Sequence, residues 1–419
     1  MPEPDVLETK FTILPLRSVL LHRSHLLEVL EQSRSVPLTL LSAGAGFGKT
    51  TLLSAWASRN TGTVAWLSLD EQDNDPTRFW TYVIAALRHS GPRLSTGGEA
   101  ALEMLHSPQP PLLTSALISL INELAALGQD TALILDDYHV ISEQAIHDSL
   151  QFVLDHLPAC LHLLLASRVD PPLALTRLRV RGQLVEIRDT DLRLDNREAA
   201  SFLTRVMNLS LSENDMHLLE TRTEGWIAGL QLAALSMRKR DDVSTFIKTF
   251  SGSQRFILDY VQEEILAQLP EAQQCFLLYT SVLERMNAEL CQILTGEQAS
   301  QQMLEALERA NLFLIPLDDE RRWYRFHTLF REVLLARLQA REPSQVVRLH
   351  REAALWFQRQ GWPREAVSHA LATQDFAFAA ELLEDCIERL SRQGELQTLL
   401  TWIKLLPLEV LRTHPRLAR

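Results

Sequence analysis

The sequence AGAGFGKT at positions 43–50 combines the residue types that bind the phosphates of a nucleotide. Its glycines allow the backbone to turn N–H groups toward phosphate oxygens. Lys49 supplies a positive charge for the β- and γ-phosphates, and the hydroxyl of Thr50 is a suitable ligand for Mg2+. We therefore predict a site for ATP or ADP with Mg2+, formed by Gly44, Ala45, Gly46, Phe47, Gly48, Lys49, Thr50 and Thr51.

A second group of candidate residues follows the apolar run at 131–135, which ends in Asp136 and Asp137. A strand in this position places a carboxylate at the edge of the sheet beside a phosphate loop. We predict that Asp136 holds Mg2+ through water and that Asp137 polarises the attacking water. Taken alone, an acidic turn after a strand is the simpler interpretation, and it is the phosphate loop upstream that favours catalysis.

Three further residues are candidates of lower specificity. Arg168 follows the apolar run at 161–166 and could report the presence of a γ-phosphate, although an arginine in a surface loop is the alternative. Arg23 lies ahead of the first strand, where an arginine is usually exposed. His327 lies between Phe326 and Leu329, where a histidine is usually a satisfied core or edge residue.

These residues need a sheet that brings their loops together. Apolar runs at 37–42, 63–69, 131–135, 161–166 and 184–187 predict strands, and helical patterns, including 51–57, separate them. Strands that alternate with helices indicate a parallel sheet covered on both faces. The stretch 91–111 is rich in proline and glycine at its start and predicts a surface loop or irregular link.

The pattern changes from position 196 onward, where helical periodicity dominates. Apolar and aromatic residues at 312–317 and 322–326 flank a polar turn and predict a β-hairpin behind helices, which is typical of a winged-helix domain. Short amphipathic helices from 346 to the end are typical of a TPR-like α-solenoid. Since only about two helix pairs are present, fewer than a stable stack needs, we expect this helical arm to be incomplete.

The sequence thus predicts a multidomain α/β plus α protein. The predicted domains are a P-loop nucleotide-binding domain at 1–190, a helical domain at 191–250, a winged-helix domain at 251–342 and a helical-repeat arm at 343–419.

Composition narrows the function classes. The net charge of −12 over 419 residues argues against non-specific nucleic-acid binding. The four cysteines are scattered without a C-x-x-C pair, which is typical of free thiols in a reducing compartment. We find no signal-peptide pattern and no apolar run close to the ~20 residues of a membrane span. We therefore expect a cytoplasmic protein with no membrane contact.

Taken together, the motifs resemble the amino-terminal portion of the MalT-like regulators, large LuxR-type signal-transduction ATPases with numerous domains (STAND). The phosphate loop is common to many NTPases, whereas the DDYH and GWIAGLQLAA strings are more specific to this family. The resemblance extends over almost the whole chain and rests on these strings: AGAGFGKTTLLSAW, WLSLDEQDNDPTRFW, LILDDYHVI, LLLASRVDPPLALTRLR, TEGWIAGLQLAAL, YRFHTLFREVL, LHREAALWFQRQG and GELQTLLTWIKLLP.

The resemblance implies a nucleotide switch with slow ATP hydrolysis. ADP would hold a closed form, and ATP with a small-molecule inducer would favour self-association, with an inhibitory protein as a further possible partner. It assigns Arg23 to the neighbourhood of the adenine, His327 to a nucleotide contact in the resting form and Arg168 to the sensor role. Related ATPases have a Gly-x-Pro near the adenine, where this sequence has Gly225-Trp226-Ile227.

Family members end in a helix-turn-helix DNA-binding domain, which we do not find in these 419 residues, so no direct DNA binding is expected from this chain. Two other functions stay open at the level of sequence. One is a nucleotide-binding scaffold that keeps ADP as a structural ligand. The other is an ATP-driven remodelling protein without transcriptional output, although no basic channel for a polymer is apparent.

Overall fold

The computed structural model describes residues 6–15, 21–60, 62–107, 112–237, 242–392, 396–414 and 416–417. The chain divides into two units. The first comprises Met1–Thr249 with Arg309–Asn311, and the second comprises Phe250–Glu308 with Leu312–Arg419. Within the described ranges, no helix is both long enough and apolar enough to cross a membrane.

A five-stranded parallel sheet organises the first unit. Its strands stand in the order β2-β3-β4-β1-β5, so the chain crosses over between the two halves of the sheet. The strands are β1 (Leu38–Ser42), β2 (Thr63–Ser68), β3 (Thr131–Asp136), β4 (Leu161–Ser167) and β5 (Leu184–Arg188). The predicted parallel sheet is therefore confirmed, and all five apolar runs form its strands.

Helices and short turns connect these strands. The first unit contains α1 (Ser24–Glu31), α2 (Lys49–Arg59), α3 (Pro76–His89), α4 (Glu99–Leu105), α5 (Leu113–Leu127), α6 (Gln144–Asp155), α7 (Leu175–Val180), α8 (Asp189–Leu192), α9 (Asn196–Ser201), α10 (Glu213–Thr223), α11 (Ile227–Met237) and α12 (Val243–Thr249). A π-helical segment, Phe202–Val206, continues α9. Single 3-10 turns occur at Glu8–Phe11, Gln32–Ser35, Glu71–Asp73 and Tyr138–Val140.

The sheet positions its loops because its central strands are buried on both faces. Every residue of β1, β3 and β4 is buried, as the continuous apolar runs require. In register, Ser42 of β1 lies opposite Ser167 of β4, so these two strands end at the same level. The loops that carry the phosphate-binding sequence and Arg168 therefore leave the sheet at one edge.

The stretch 91–111, which we expected to be a surface loop or irregular link, contains the helix α4, and its residues 108–111 lie outside the described ranges. Ala101, Leu102 and Leu105 are buried, and α4 packs against α5. Gly98 precedes the helix with a φ of 74°, a conformation that suits glycine. The three apolar residues recur at helical spacing, but the window is too short for the periodicity to outweigh the surrounding proline and glycine.

The second unit is mainly helical. Its helices are α13 (Arg255–Glu264), α14 (Glu271–Thr280), α15 (Ala288–Thr295), α16 (Ser300–Arg309), α17 (Thr328–Arg341), α18 (Pro343–Arg359), α19 (Pro363–Ala372), α20 (Phe376–Arg392), α21 (Leu396–Leu405) and α22 (Leu408–Thr413), with a 3-10 turn at Leu266–Gln268. The strands β6 (Leu314–Pro316) and β7 (Tyr324–Phe326) pair antiparallel and form the predicted hairpin.

The carboxyl-terminal helices of this unit pack in succession, α18 on α19 and α19 on α20. Their amphipathic patterns bury residues such as Ala354, Ala370 and Leu383 in one cluster. The TPR-like character of this arm stays a prediction.

Candidate functional site

The phosphate-loop sequence connects β1 to α2 and adopts a conformation that requires glycine. Gly46 has a φ of 77°, and Gly48 precedes α2 with a φ of 83°. A Cβ on Gly48 would lie 3.0 Å from Cδ1 of Ile227. Positive φ and a close neighbour thus exclude larger residues at position 48, which explains the glycine at the start of α2.

Lys49 is buried at the start of α2 and points back into the loop. Its Nζ donates hydrogen bonds to the carbonyl oxygens of Ala43 at 2.6 Å and of Gly44 at 3.0 Å. These bonds hold the ammonium group inside the turn that the loop makes. The positive charge is thereby fixed where the sequence predicts the β- and γ-phosphates.

Thr50 and the acidic pair converge at the end of β3. Oγ1 of Thr50 donates to Oδ1 of Asp136 at 3.1 Å, and the backbone N–H of Asp137 donates to the same oxygen at 3.1 Å. Asp136 is only 2% exposed. Asp137 adopts the left-handed conformation, with a φ of 58°, and its side chain is about half exposed, at 48%. The two carboxylates therefore share one site but differ in access to water.

Burial and neighbouring charges shift the ionisation of this cluster. Burial raises the pKa of Asp136 to about 6, and the negative charge of Asp137 adds to the shift. Burial lowers the pKa of Lys49 to about 8; the charges of Asp137 and Asp136 oppose this shift, and that of Arg168 adds to it. Perturbed groups of both signs in one place are typical of functional sites.

His139 is a member of this cluster that the sequence reasoning missed as a site residue. Its Nδ1 lies 3.8 Å from Oδ1 of Asp137. Burial, followed by the positive charges of Arg168 and Lys49, lowers the pKa of His139 to about 3. The imidazole is therefore neutral at pH 7. The signals in the sequence were its place two residues after the acidic pair and its membership of the DDYH string.

Arg168 follows β4 at the same edge of the sheet. Its side chain is partly exposed, and its charge lowers the pKa of both Lys49 and His139. The structure therefore brings Arg168 together with the phosphate loop and the acidic pair. The predicted catalytic residues Asp136, Asp137 and Arg168 lie in one electrostatic neighbourhood with Lys49 and Thr50.

Residues at the start of α11 and directly before it contact the phosphate loop from the helical part of the first unit. Nε1 of Trp226 donates to the carbonyl oxygen of Ala45 at 3.0 Å, and the backbone N–H of Ala228 donates to that of Gly46 at 3.1 Å. Trp226 is 1% exposed. These contacts involve the segment that stands where related ATPases have Gly-x-Pro, and the sequence alone gave no reason to expect them.

A cavity of about 660 Å3 adjoins the start of α2. It is bordered by Gly48 and Thr51 from the loop and α2, and by Ile227 and Gln231 from α11. Its wall includes apolar side chains and a few polar ones, the composition expected of a small-molecule site. Its polar border residues include His22, Arg23, Arg59, Thr51 and Gln231.

Comparison with known proteins shows which proteins the chain resembles. The MalT winged helix domain family matches residues 262–346. The HTH-type transcriptional regulator MalT of Yersinia enterocolitica is 37% identical over 402 residues, which cover 94% of this chain and 44% of the relative. Over almost its whole length, the chain is similar to the MalT regulators. MalT of Yersinia pestis strain Pestoides F is likewise 37% identical over 94% of the chain and 44% of its own length.

The MalT-like chain thus spans less than half the length of the curated relatives it matches. A Walker-type ATPase of Pyrococcus abyssi shares the fold, with a TM-score of 0.52 and 16% identity over 77% of this chain and 97% of that protein. The family resemblance, the P-loop fold of the first unit and the winged helix are therefore confirmed.

Arg23 of the MalT-like chain is buried, and several acceptors hold its guanidinium. Its Nη1 donates to the carbonyl oxygen of Leu192 at 2.8 Å, at the end of α8. Its Nε and Nη2 donate to the carboxylate of Glu198 at 3.1 Å and 3.0 Å. Nη2 also donates to the carbonyl oxygens of Asp191 and Arg193. Arg23 borders the cavity, but its hydrogen bonds bind the amino-terminal segment to α8 and α9.

His327 lies in the second unit of the MalT-like chain, directly before α17. It is 1% exposed, and its ring meets the ring of Phe313 edge to face, with centroids 5.6 Å apart. Its backbone N–H donates to the carbonyl oxygen of Phe313 at 2.8 Å. The sequence expectation of a core or edge histidine fits these contacts, and the nucleotide contact that the resemblance assigns to His327 stays a prediction.

Proposed function

We propose that this chain is a nucleotide-switched regulatory ATPase, the signal-receiving part of a MalT-like transcription activator in the cytoplasm. The observation that carries the proposal is the junction of the loop and β3. There Lys49 is held inside the glycine-rich turn while Thr50 is bonded to the buried Asp136. A buried cation beside a hydroxyl and a carboxylate suits the polyphosphate of ATP or ADP with its metal ion.

The residues at this junction fit Mg2+. Oγ1 of Thr50 and the carboxylate of Asp136 are both oxygen donors, which Mg2+ prefers, and they already lie within hydrogen-bond distance. Burial and the charge of Asp137 disfavour the ionised form of Asp136, and a divalent cation would offset both effects. Mg2+ would supply charge neutralisation for the phosphate oxygens, held by Thr50 and, through water, by Asp136.

Hydrolysis would rely on the side chains that retain access to the site. Asp137 is half exposed, so we assign it to orienting and polarising the attacking water. The charge of Arg168 reaches both Lys49 and His139, and we assign it to contact with the γ-phosphate. These roles amount to positioning, which is consistent with slow turnover.

The switch itself is inferred from the family. ADP would stabilise a closed resting form, and ATP with an inducer would favour a self-associating form, each ligand acting through its differential affinity for the two states. The inducer would be a small molecule, and an inhibitory protein would act on the resting form. The four domains at 1–190, 191–250, 251–342 and 343–419 are part of this proposal. We also assign the cavity beside α2 to the base and ribose of the nucleotide.

The first test is the nucleotide content and turnover of the purified chain. We expect mass spectrometry to identify a co-purifying adenine nucleotide and steady-state ATP hydrolysis to be slow.

Lys49→Met should weaken ATP binding by roughly tenfold to a hundredfold, because it removes a charge-assisted contact. Lys248→Met, at an exposed lysine of α12, is the matched control and should bind as the wild type does. Equal ATP affinity in both variants would contradict the proposal.

A second variant separates a switch from its alternatives. Asp137→Ala should abolish hydrolysis while ATP binding persists, and the ATP-loaded protein should then accumulate in its self-associated form. A scaffold that holds ADP would be indifferent to this change. Fast turnover of the wild type, stimulated by a polymer, would instead indicate a remodelling protein.

A further inference from the structure

Each carbonyl oxygen at positions 43–46 of the phosphate loop accepts a hydrogen bond from a fixed donor. Lys49 bonds the oxygens of Ala43 and Gly44. The next two carbonyl oxygens accept hydrogen bonds from outside the loop. Nε1 of Trp226 donates to the oxygen of Ala45, and the backbone N–H of Ala228 donates to the oxygen of Gly46. The loop is therefore held from its own helix on one side and from the start of α11 on the other.

Holding these carbonyl groups also orients the N–H groups that would bind phosphate. A trans peptide unit is planar, and its C=O and N–H point in opposite directions. The oxygen of Ala45 belongs to the same unit as the N–H of Gly46. When Trp226 fixes that oxygen, it turns the N–H of Gly46 to the opposite side. Ala228 acts in the same way on the N–H of the following residue.

The donor of this contact is itself rigidly placed. Gly225 has a φ of 71°, and a Cβ there would lie 2.4 Å from the carbonyl oxygen of Leu194. The N–H of Leu194 donates to the carbonyl oxygen of Gly225 at 2.9 Å, and the N–H of Trp226 donates to that of Thr223 at 2.8 Å. The backbone on both sides of the indole is thus fixed, and the buried ring has little freedom to leave the loop.

We propose that Trp226 is a positioning residue for phosphate binding, which preorganises the loop by holding the Ala45 carbonyl. The proposal rests on the proposed function, namely that this loop binds a nucleotide. Its consequence is that the indole N–H contributes to the affinity of any ligand with a polyphosphate, independently of the base. Because Trp226 directly precedes α11, the same bond couples the loop to this helix, and by linkage phosphate binding strengthens that coupling.

The test removes the indole N–H and leaves the ring in place. Trp226 is replaced by 3-benzothienylalanine, in which sulfur stands for the N–H group, and in a second variant by Phe. In the full chain with Mg2+, calorimetry then measures the binding of ATP, ADP and inorganic triphosphate. Losing one buried hydrogen bond should weaken all three by about fivefold to tenfold, with the ratio between them unchanged.

Trp56→Phe is the matched control. Trp56 is also buried and lies in α2, and within the described residues its indole N–H meets no acceptor. We expect this change to alter the melting temperature and leave the three affinities within twofold of the wild type. The control separates loss of ring packing, which both Phe variants share, from loss of the hydrogen bond, which only the Trp226 variants suffer.

The outcomes separate this inference from the proposed function. If the wild type binds ATP and triphosphate and the benzothienylalanine variant binds them equally well, the inference is overturned and the nucleotide site stands. If only ATP and ADP weaken while triphosphate does not, Trp226 acts on the base and the inference is also overturned. If the wild type binds none of the three ligands, both the proposed function and this inference fail.

Discussion

Asp136 combines a functional position with an energetic cost. The carboxylate is buried at the end of β3, where burial and the charge of Asp137 raise its pKa to about 6. In an unfolded chain the group ionises near its ordinary pKa of 3.8. Above about pH 6 the carboxylate is ionised in both the unfolded and the folded chain. Folding then places its charge in surroundings that disfavour it, which lowers the free energy of unfolding. Sites prepared for a cation often carry such a cost.

We predict that Asp136→Asn stabilises the ligand-free protein and abolishes the Mg2+ dependence of ATP binding. The raised pKa means that the cost of ionisation grows from about pH 4 to about pH 6 and is constant above. A shift of two pKa units corresponds to a gain of up to about 3 kcal/mol in the free energy of unfolding at pH 8. At pH 5 the gain should be smaller. Urea unfolding at pH 8 and at pH 5 measures the two gains in the free energy of unfolding, and ATP binding with and without Mg2+ measures the Mg2+ dependence.

Asp319→Asn is the control for this prediction, because it removes an exposed carboxylate of the second unit. We expect its unfolding free energy to follow that of the wild type at both pH values. If Asp136→Asn shows no gain at pH 8 relative to pH 5, the burial of an ionised Asp136 does not cost what the structure indicates.

Gly48 offers a second prediction at the scale of one residue. Gly48→Ala meets two obstacles, a φ of 83° and the contact with Ile227, whereas Gly182→Ala meets a φ of 65° with open space around it. The conformational strain alone costs roughly 1–2 kcal/mol. We expect thermal unfolding to show this loss for Gly182→Ala and a larger loss for Gly48→Ala. Only Gly48→Ala should also lose ATP binding, and retained ATP affinity in that variant would contradict the prediction.

At the scale of elements, the sheet was predictable because each strand carries its own signal. The runs around Leu40, Leu133 and Leu164 are mostly apolar, as expected of strands that are buried on both faces. The phosphate loop was predictable because its glycines, Lys49 and Thr50 are contiguous in sequence. Contacts between distant segments were not predictable in this way, since the sequence does not reveal which of many polar residues will meet.

Arg23 shows this limit most clearly. Its partners lie 168 to 175 positions further along the chain, in α8, in α9 and between them. In the sequence it is one arginine among many, and the resemblance alone assigned it to the adenine. Its hydrogen bonds join two parts of the first unit. A contact between Arg23 and the base of the nucleotide stays a proposal. Trp226 was missed for the same reason, because the loop carbonyl it bonds lies 181 positions earlier.

We predict that Arg23→Met destabilises the first unit, since it leaves the carboxylate of Glu198 and the carbonyl groups at the end of α8 without their donor. Removing one partner of a buried ion pair costs about 3–5 kcal/mol. The double variant Arg23→Met with Glu198→Met should recover part of this loss, because no charge is then left unpaired. Urea unfolding of the wild type, both single variants and the double variant gives the coupling energy. A coupling energy close to zero would show that the pair contributes nothing specific.

At the scale of the molecule, the chain joins a P-loop unit to a unit that contains a winged helix of the MalT type. The relatives are more than twice as long as the part that matches, so an output in transcription is a proposal about a longer protein. The proposed switch can be tested with this chain alone. Its two predicted states differ in the nucleotide they favour and in their tendency to self-associate, and both properties are measurable.

His327→Ala is the variant that tests the switch. If His327 contacts the nucleotide in the ADP form alone, its removal weakens that form and leaves the ATP form unchanged. The loss of one hydrogen bond of about 1 kcal/mol would speed ADP release by roughly fivefold. It would also raise the fraction of self-associated protein with ATP by shifting the same equilibrium. Stopped-flow release of a fluorescent ADP and sedimentation velocity with ATP measure these two effects.

His369→Ala is the control. It removes another buried histidine of the second unit and should change the melting temperature alone. Unchanged ADP release in a folded His327→Ala protein would remove His327 from the switch.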